Sequence, residues 1–451
     1  MSDIIAAIAT GRAPCAIGIL RLSGPGCAAL TGRVFTPKQP FADAPDRRLV
    51  LGLLHDRQGR VIDECLGVVC RAPHSYTGEE TVELQCHGSP AMLAAGLEAL
   101  LAAGARQAGP GEFTRRAFLN GKLDLTQAEA VVDLIDAETA DAAANAAGQL
   151  GGALKRAIEP VYDGLTDLCS HFHAVLDYPD EDIEDFGAAE LSGALDRAGV
   201  ALRELLATYE KGRHLRQGVR AVLLGKPNAG KSSLLNRLAG YDRVIVTDIA
   251  GTTRDTVEEP VRVGRVLLRL TDTAGIREAG DAIEALGVAR SEQAAREAEL
   301  ALFVCDASQP LTDEDRRAIE AAKCAPRSLA LCNKSDLPAA VSPDELPFDT
   351  VLTVSARTGA GLDALPAVLE GWFLGENACD GSLLTNPRQF GALDRASRAI
   401  ERAKTGLSLG VTPDAVLTDV EEAMAALGEV TGRTVREDIT NRIFERFCVG
   451  K

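Results

Sequence analysis

The chain has 451 residues, of which 46% are hydrophobic and 25% charged, and 48 basic against 65 acidic residues give a net charge of −17. Since an ordinary domain has roughly 150 residues, we expect two to four domains. This composition excludes a disordered, collagen-like or fibrous chain. Its acidic balance gives no support to nucleic-acid binding driven mainly by phosphate neutralisation.

Compartment signals point to a reducing cytoplasm. No apolar run approaches the roughly 18 residues of a membrane span, and an acid stands near the N-terminus where a signal peptide would carry lysines. The eleven cysteines are scattered without a C-x-x-C, and Cys65 and Cys70 are the closest pair. Zinc spacing is therefore absent, and a disulfide framework is not expected.

Residues 1–118 mix short strands with turns and predict an α+β domain. Residues 17–22 and 66–70 are apolar and bounded by glycine or proline, which is typical of buried strands. Residues 81–85 alternate polar and apolar, as a half-exposed strand does. An Ala/Leu-rich helix is predicted over 92–103.

Residues 119–216 predict a helical domain. Thr126 and Glu129 have the spacing of a capping box, and apolar residues then recur at helical spacing from Ala128 to Ile135. The acidic run 178–182 is expected to be a solvated loop.

Residues 217–378 alternate strands with helices, which favours a doubly wound, mainly parallel sheet. The predicted strands are 219–224, 266–271, 300–305, 328–332 and 350–354.

Residues 379–451 return to helix. Thr412 and Pro413 are predicted as the N-cap and first turn of one helix, and Thr434 with Glu437 as the cap of another. We expect the helical segments on either side of the α/β block to pack together, which makes that block an insertion.

A nucleotide-binding loop follows the first strand of the block. The run Gly225-Lys226-Pro227-Asn228-Ala229-Gly230-Lys231-Ser232 precedes a helix that begins near Ser233. Its backbone N–H groups would surround phosphates beside a positive helix N-terminus. Lys231 would reach the β- and γ-phosphates, and the Ser232 hydroxyl would hold Mg²⁺.

Three further elements follow in the order of a GTPase. An acid that ends a strand would hold the Mg²⁺ shell through water, a second acid would accept from guanine, and a backbone N–H would reach the guanine oxygen. The residues are Asp272-Thr273-Ala274-Gly275, then Asn333 and Lys334 with Asp336, and then Ser355-Ala356-Arg357. Four motifs in order predict GTP binding.

A switch loop is expected between the first two motifs. It contains Thr247-Asp248-Ile249-Ala250-Gly251-Thr252-Thr253, and Thr253 is the predicted second Mg²⁺ contact. Ile276 stands where Ras-like enzymes carry the glutamine that orients water. From these residues, a slow switch that awaits a partner and an enzyme that uses a cation and another acid both remain open.

These motifs resemble the MnmE, or TrmE, family of tRNA modification GTPases, within the TrmE-Era-EngA-like potassium-dependent GTPases. The resemblance spans the whole chain. It includes the run from Tyr76 to Glu80, the run from Pro110 to Asp124, and the terminal Phe447-Cys448-Val449-Gly450-Lys451.

The resemblance implies a K⁺ ion in place of an arginine finger. Asn228, with oxygens of Thr247, Ile249 and Thr252, would coordinate it. Glu284 matches the family's catalytic acid, which orients water through a second water; from the residues alone it is an ordinary helix acid.

The resemblance also implies a folate site in the N-terminal domain for 5-formyl- or methylene-tetrahydrofolate. Its matching residues are Arg21, Glu83, Lys122 and Lys451. Cys448 is either a thiol near the one-carbon unit or a buried hydrophobe. From the residues alone, Arg21 and Lys122 are surface charges and Glu83 an exposed strand residue.

By this resemblance the chain would form a homodimer and act with the FAD-containing MnmG on the wobble uridine of tRNA, with neither membrane nor DNA as a partner. The dimer would form through N-terminal domains, and G domains would meet in the GTP state. A ribosome-assembly or translation GTPase and a stand-alone folate-dependent transferase remain the competing hypotheses.

Overall fold

The computed structural model describes residues 3–11, 13–177, 188–241, 258–271, 284–375, 380–433, 443–444 and 447–450. The chain divides into two compact units that alternate along the sequence. One comprises Met1–Val132, Leu150–Ala194 and Arg398–Lys451, and the other comprises Asp133–Gln149 and Leu195–Ser397.

The first unit contains a seven-stranded sheet. Its strands are β1 Ile5–Ile8, β2 Cys15–Ser23, β3 Phe35–Pro37, β4 Val50–His55, β5 Val61–Cys70, β6 Thr81–Gly88 and β7 Arg106–Gln107. The order is β3-β4-β5-β6-β2-β1-β7, and every pair is antiparallel except β1 with β7. The predicted strands are confirmed, and β6 buries Val82 and Leu84 while Glu83 and Gln85 are partly exposed.

The described helices belong to both units. They are α1 Cys27–Thr31, α2 Pro90–Ala102, α3 Glu112–Leu119, α4 Leu125–Ile135, α5 Ala140–Leu150, α6 Ala153–Asp177, α7 Ala188–Ala207, α8 Tyr209–Gln217, α9 Lys231–Tyr241, α10 Glu284–Glu297, α11 Asp313–Ala322, α12 Ala364–Phe373, α13 Pro387–Ser408 and α14 Pro413–Thr431. Among these described helices, none has the length and apolar character that crossing a membrane requires.

The predicted cap of α4 was wrong by two residues. Asp124 Oδ1 accepts from the Gln127 backbone N–H at 2.9 Å, and Gln127 Oε1 accepts from the Asp124 N–H at 3.0 Å. The Thr126 hydroxyl donates to the same Asp124 oxygen. Because an aspartate caps a helix at least as well as a threonine, the earlier residue takes the first free amides.

Helices on both sides of the α/β block pack together within the first unit, as predicted. Helix α14 begins at Pro413 with Thr412 as its N-cap, and it packs on α6, where Cys169 Sγ lies 3.4 Å from Met424 Sδ. The expected cap at Thr434 and Glu437 lies outside the described residues. Phe444 is buried with Ala128.

The second unit contains a six-stranded sheet. Its strands are β8 Val219–Leu224, β9 Glu258–Val263, β10 Val266–Thr271, β11 Leu300–Asp306, β12 Arg327–Asn333 and β13 Val351–Thr353. The order is β13-β12-β11-β8-β10-β9, parallel except for β9. The mainly parallel sheet is confirmed, and the sequence missed the antiparallel edge strand β9. Since the strand order reverses at β8, ligands are expected at the carboxyl ends there.

Candidate functional site

The loop that joins β8 to α9 wraps tightly, because two of its glycines leave no room for a side chain. Gly225 has φ +145°, and a Cβ there would lie 2.1 Å from the Val304 carbonyl oxygen. Gly230 has φ +98°, and a Cβ there would lie 2.1 Å from Asn333 Nδ2. The backbone conformation and the close contacts both require glycine, as a phosphate-binding loop does.

The loop lysine lies over its own loop. Lys231 Nζ donates to the carbonyl oxygens of Gly225 at 2.7 Å and Lys226 at 2.9 Å. Ser232 and Ser233 are exposed in the first turn of α9, beside the partial positive charge of the helix N-terminus. Oxygens of a bound phosphate would take the place of those carbonyls as acceptors for the ammonium.

The predicted base-recognition residues lie at the same end of the sheet. Asn333 ends β12, donates through Nδ2 to the Ala229 carbonyl oxygen at 2.9 Å, and accepts at Oδ1 from the Ala356 N–H at 2.9 Å. The buried Asn333 side chain therefore connects the phosphate loop, β12 and the segment 355–357.

The carboxylate predicted to accept from guanine is held by donors on two sides. Ser355 Oγ donates to Asp336 Oδ1 at 2.6 Å, and Arg357 Nη2 lies 2.8 Å from Asp336 Oδ2. The Ser355 hydroxyl bond, with a smaller contribution from Arg357, lowers the pKa of Asp336 below its usual range. Asp336 therefore stays ionised and can accept from the N–H groups of a guanine ring.

Two acids near this site were not predicted. Lys334, at φ +66°, pairs with Asp306 through an Nζ–Oδ2 distance of 2.6 Å. Lys226 pairs with the fully buried Asp315 at 2.9 Å. The pattern T-x-x-D over 312–315 is a capping box that could have placed Asp315 at the start of α11.

Several predicted residues lie outside the described parts of the chain. These are Thr247-Asp248-Ile249-Ala250-Gly251-Thr252-Thr253, Asp272-Thr273-Ala274-Gly275 and Lys451. Glu284 begins α10, and only its backbone is described. Asn228 is exposed on the phosphate loop at φ +63°.

In the first unit, Arg21 on β2 and Glu83 on β6 are cross-strand neighbours. Arg21 Nε lies 2.8 Å from Glu83 Oε1, and the two side chains are 21% and 30% exposed. The guanidinium also lies over the Tyr76 and Phe113 rings, at 5.7 and 5.8 Å. The interpretation of Arg21 as an ordinary surface charge and of Glu83 as an exposed strand residue was wrong, because the two side chains are partly buried and paired.

The C-terminal segment lies against this pair. Arg21 Nη1 donates to the Gly450 carbonyl oxygen at 3.3 Å, and Gly111 N–H donates to the Cys448 carbonyl oxygen at 3.3 Å. Gly450 has φ +104°, and a Cβ there would lie 2.4 Å from the Ile8 carbonyl oxygen. The Cys448 side chain is exposed, which excludes the buried-hydrophobe interpretation.

Lys122 was predicted for the same site. It is exposed, and its Cγ would lie 3.2 Å from a Cβ at Gly78. The fold therefore places Lys122 beside the loop that carries Tyr76.

A doubly wound sheet with a glycine-restricted phosphate loop at its switch point defines a P-loop nucleotide-binding fold. Family models match at residues 4–122, for the N-terminus of the GTP-binding protein TrmE, and at 125–448, for the MnmE helical domain. The tRNA modification GTPase MnmE of Roseiflexus sp. (strain RS-1) is 45% identical over 100% of this chain and 99% of its own. The proteins of the same name from Chloroflexus aurantiacus and Aquifex aeolicus are 43% and 41% identical, each over 100% of both chains. The chain belongs to the MnmE family.

Proposed function

We propose that this chain is the GTP-hydrolysing component of a tRNA wobble-uridine modification reaction. As a member of the MnmE family, it is a GTPase that acts in tRNA modification. With the FAD-containing MnmG it would add an aminomethyl or carboxymethylaminomethyl group to uridine C5, and methylene-tetrahydrofolate would supply the carbon. It would work as a cytoplasmic homodimer.

The observation that supports GTP as the nucleotide is the connection made by Asn333. One side chain bonds both the phosphate loop, at Ala229, and the segment that would meet the base, at Ala356. Binding of the base and of the phosphates would therefore be mechanically linked. An adenine ring would leave the ionised Asp336 without its N–H partners, at a cost of about 1–3 kcal/mol.

The described residues fit the two proposed cations. The exposed Ser232 hydroxyl beside Lys231 is the kind of oxygen ligand that Mg²⁺ prefers, and Thr253 would be its second contact. Asn228 offers an amide oxygen on the exposed part of the loop, and Thr247, Ile249 and Thr252 would complete a K⁺ site. K⁺ would supply positive charge that offsets the charge developing on the phosphates, and Glu284 would orient the attacking water.

The residues around Arg21 fit an anionic, aromatic ligand such as folate. Glu83 takes the Nε donor and Gly450 takes an Nη1 donor, so the five-donor guanidinium has further N–H groups available to a glutamyl carboxylate. Lys122 and Lys451 would add positive charge, and Glu83 would accept from the pterin N–H edge. Cys448 would lie near the one-carbon unit without forming a covalent bond to it.

We further propose the domain layout that these roles need. Residues 1–118 would bind folate and dimerise, 119–216 and 379–451 would form the helical domain, and 217–378 would be a G domain inserted in it. Potassium-dependent pairing of two G domains would then couple hydrolysis to the modification.

Nucleoside analysis of tRNA from cells that lack this gene tests the proposal. We expect the C5-modified wobble uridine to disappear, to return with the natural chain, and to stay absent with Lys231→Ala. Unchanged tRNA nucleosides would instead support a ribosome-assembly GTPase, and full rescue by Lys231→Ala would support a folate transferase with a dispensable G domain.

A further inference from the structure

A cluster of metal-binding side chains lies on β5 and β6 of the N-terminal sheet. Asp63, Cys65 and Cys86 each direct one ligand atom into it, and those atoms lie within 4.8 Å of one another. Among the residues that the structure describes, this is the only group of three or more such side chains that meets this distance.

The sheet register creates the cluster. Leu66 on β5 pairs with Gln85 on the antiparallel strand β6. The next pair of opposed positions is therefore Cys65 and Cys86. Asp63 precedes Cys65 by two positions and therefore lies on the same face of β5. Twenty residues separate Cys65 from Cys86, so no short zinc motif could reveal the pair.

The carboxylate is held in place by its neighbour. Asp63 Oδ2 accepts from the His87 backbone N–H at 2.9 Å, and Asp63 Oδ1 lies 2.7 Å from His87 Nδ1. The Asp63 side chain is 8% exposed, whereas the His87 side chain is 80% exposed. Since each carboxylate oxygen has two lone pairs, both bonds leave Asp63 able to ligate a metal.

Two thiolates and a carboxylate suit a thiophilic divalent cation. Sulfur and oxygen ligands of this kind bind Zn²⁺ tetrahedrally, at about 2.3 Å for sulfur and 2.1 Å for oxygen. Tetrahedral geometry then places two sulfurs about 3.8 Å apart, so modest rotamer changes would close the cluster onto an ion.

We propose that Asp63, Cys65 and Cys86 bind one Zn²⁺ ion, with His87 orienting the Asp63 carboxylate and a water as the fourth ligand. Both thiols would lose their protons to solvent as the ion binds. The ion would link β5 to β6 and stabilise the folded unit, because it binds the folded chain in preference to the unfolded one.

Cobalt substitution tests the site directly. The reduced, nucleotide-free, full-length chain should take up one equivalent of Co²⁺ that shows thiolate-to-metal charge transfer and the visible bands of tetrahedral cobalt. Zn²⁺ should displace it. Cys65→Ala and Cys86→Ala should each remove the charge-transfer band or weaken Co²⁺ binding at least about tenfold.

The matched control is the other pair of adjacent buried thiols. Cys305 and Cys332 lie on β11 and β12 with their sulfurs 3.9 Å apart, and no third ligand joins them among the described residues. Cys305→Ala should keep the full cobalt spectrum. Asp63→Asn is a second variant that preserves side-chain size, and it should weaken binding even if a cysteine variant fails to fold.

Three outcomes would overturn the proposal. The first is a reduced chain without charge-transfer absorption at saturating Co²⁺. The second is a spectrum that survives in folded Cys65→Ala and Cys86→Ala. The third is an equal loss of the cobalt charge-transfer band in Cys305→Ala. None of these outcomes depends on GTP hydrolysis or tRNA modification.

Discussion

Asn333 Nδ2 donates to the carbonyl oxygen of Ala229 across 2.9 Å, and this bond connects the end of β12 to the phosphate loop. Both residues are buried, at 2% and 0% exposure. Loss of this hydrogen bond would cost more free energy than the bond itself contributes, because two buried polar groups would be left without partners.

Asn333→Ala is expected to lower GTP affinity about ten- to a hundredfold, which corresponds to about 1–3 kcal/mol for the lost buried bonds. A titration with a fluorescent GTP analogue measures this. Asn386→Ala is the control, because the Asn386 side-chain oxygen accepts a local turn bond from the Arg388 backbone N–H at the start of α13. Equal losses in the two variants would show that Asn333 has no special role in binding.

The two lysines of the phosphate loop should separate stability from binding. Lys226→Ala removes the partner of the fully buried Asp315 and should lower the free energy of unfolding by about 3 kcal/mol. Lys231→Ala should abolish nucleotide binding. It should lower the free energy of unfolding far less than Lys226→Ala does, because the Lys231 ammonium donates to backbone carbonyls of the loop and not to a buried acid. Thermal unfolding and nucleotide titration of both variants provide the comparison. Tight GTP binding by Lys231→Ala would mean that the loop is misassigned.

GTP turnover should depend on K⁺ through Asn228. The natural chain should hydrolyse GTP faster in KCl than in NaCl at equal ionic strength, and Asn228→Ala should remove the difference. Glu284→Ala should retain GTP affinity while it loses most turnover in KCl, because the proposed role of Glu284 is to orient water. A potassium preference that persists in Asn228→Ala would contradict the proposed coordination.

Folate binding should depend on Arg21 and leave hydrolysis by the isolated protein unchanged. Arg21→Ala removes the guanidinium that contacts Glu83 and Gly450. It should lower the affinity for 5-formyl-tetrahydrofolate at least about tenfold, as measured by equilibrium dialysis. Arg47→Ala, at a 55% exposed arginine, is the control. If Arg21→Ala slowed GTP turnover and left the affinity for folate unchanged, the two sites would have to be reassigned.

Stability in acid should depend on Glu299. Burial raises the pKa of this carboxyl, but donors from His214, Arg213 and the Arg220 backbone outweigh it and hold the pKa at about 2, below its ordinary 4.5. Since the folded pKa is depressed, the stabilisation is complete above about pH 4.5 and is lost as the pH falls toward 2.

Glu299→Gln should therefore melt at a lower temperature at pH 7, and the difference from the natural chain should shrink between pH 4.5 and pH 2. Calorimetry across that range measures it. Glu210→Gln, at a 67% exposed carboxylate that also meets Arg213, should show a much smaller difference. A constant difference at all pH values would exclude titration of Glu299 as the cause.

The sequence alone predicted the elements whose causes are local. The strands 219–224 and 266–271 have the predicted bounds, because short buried runs of apolar residues end at glycine or at charged turns. The phosphate loop was equally predictable, since its conformation depends on glycines within eight consecutive residues.

Only the tertiary structure decided which distant side chains meet. The pairing of Arg21 with Glu83 and the meeting of Cys65 with Cys86 depend on the register between strands, which the spacing of residues along the chain does not encode. The helix cap at Asp124 was decided by competition between neighbouring acceptors for the same amides. Local chemistry was thus predictable from the sequence, whereas each of these contacts depends on the free energy of the assembled fold.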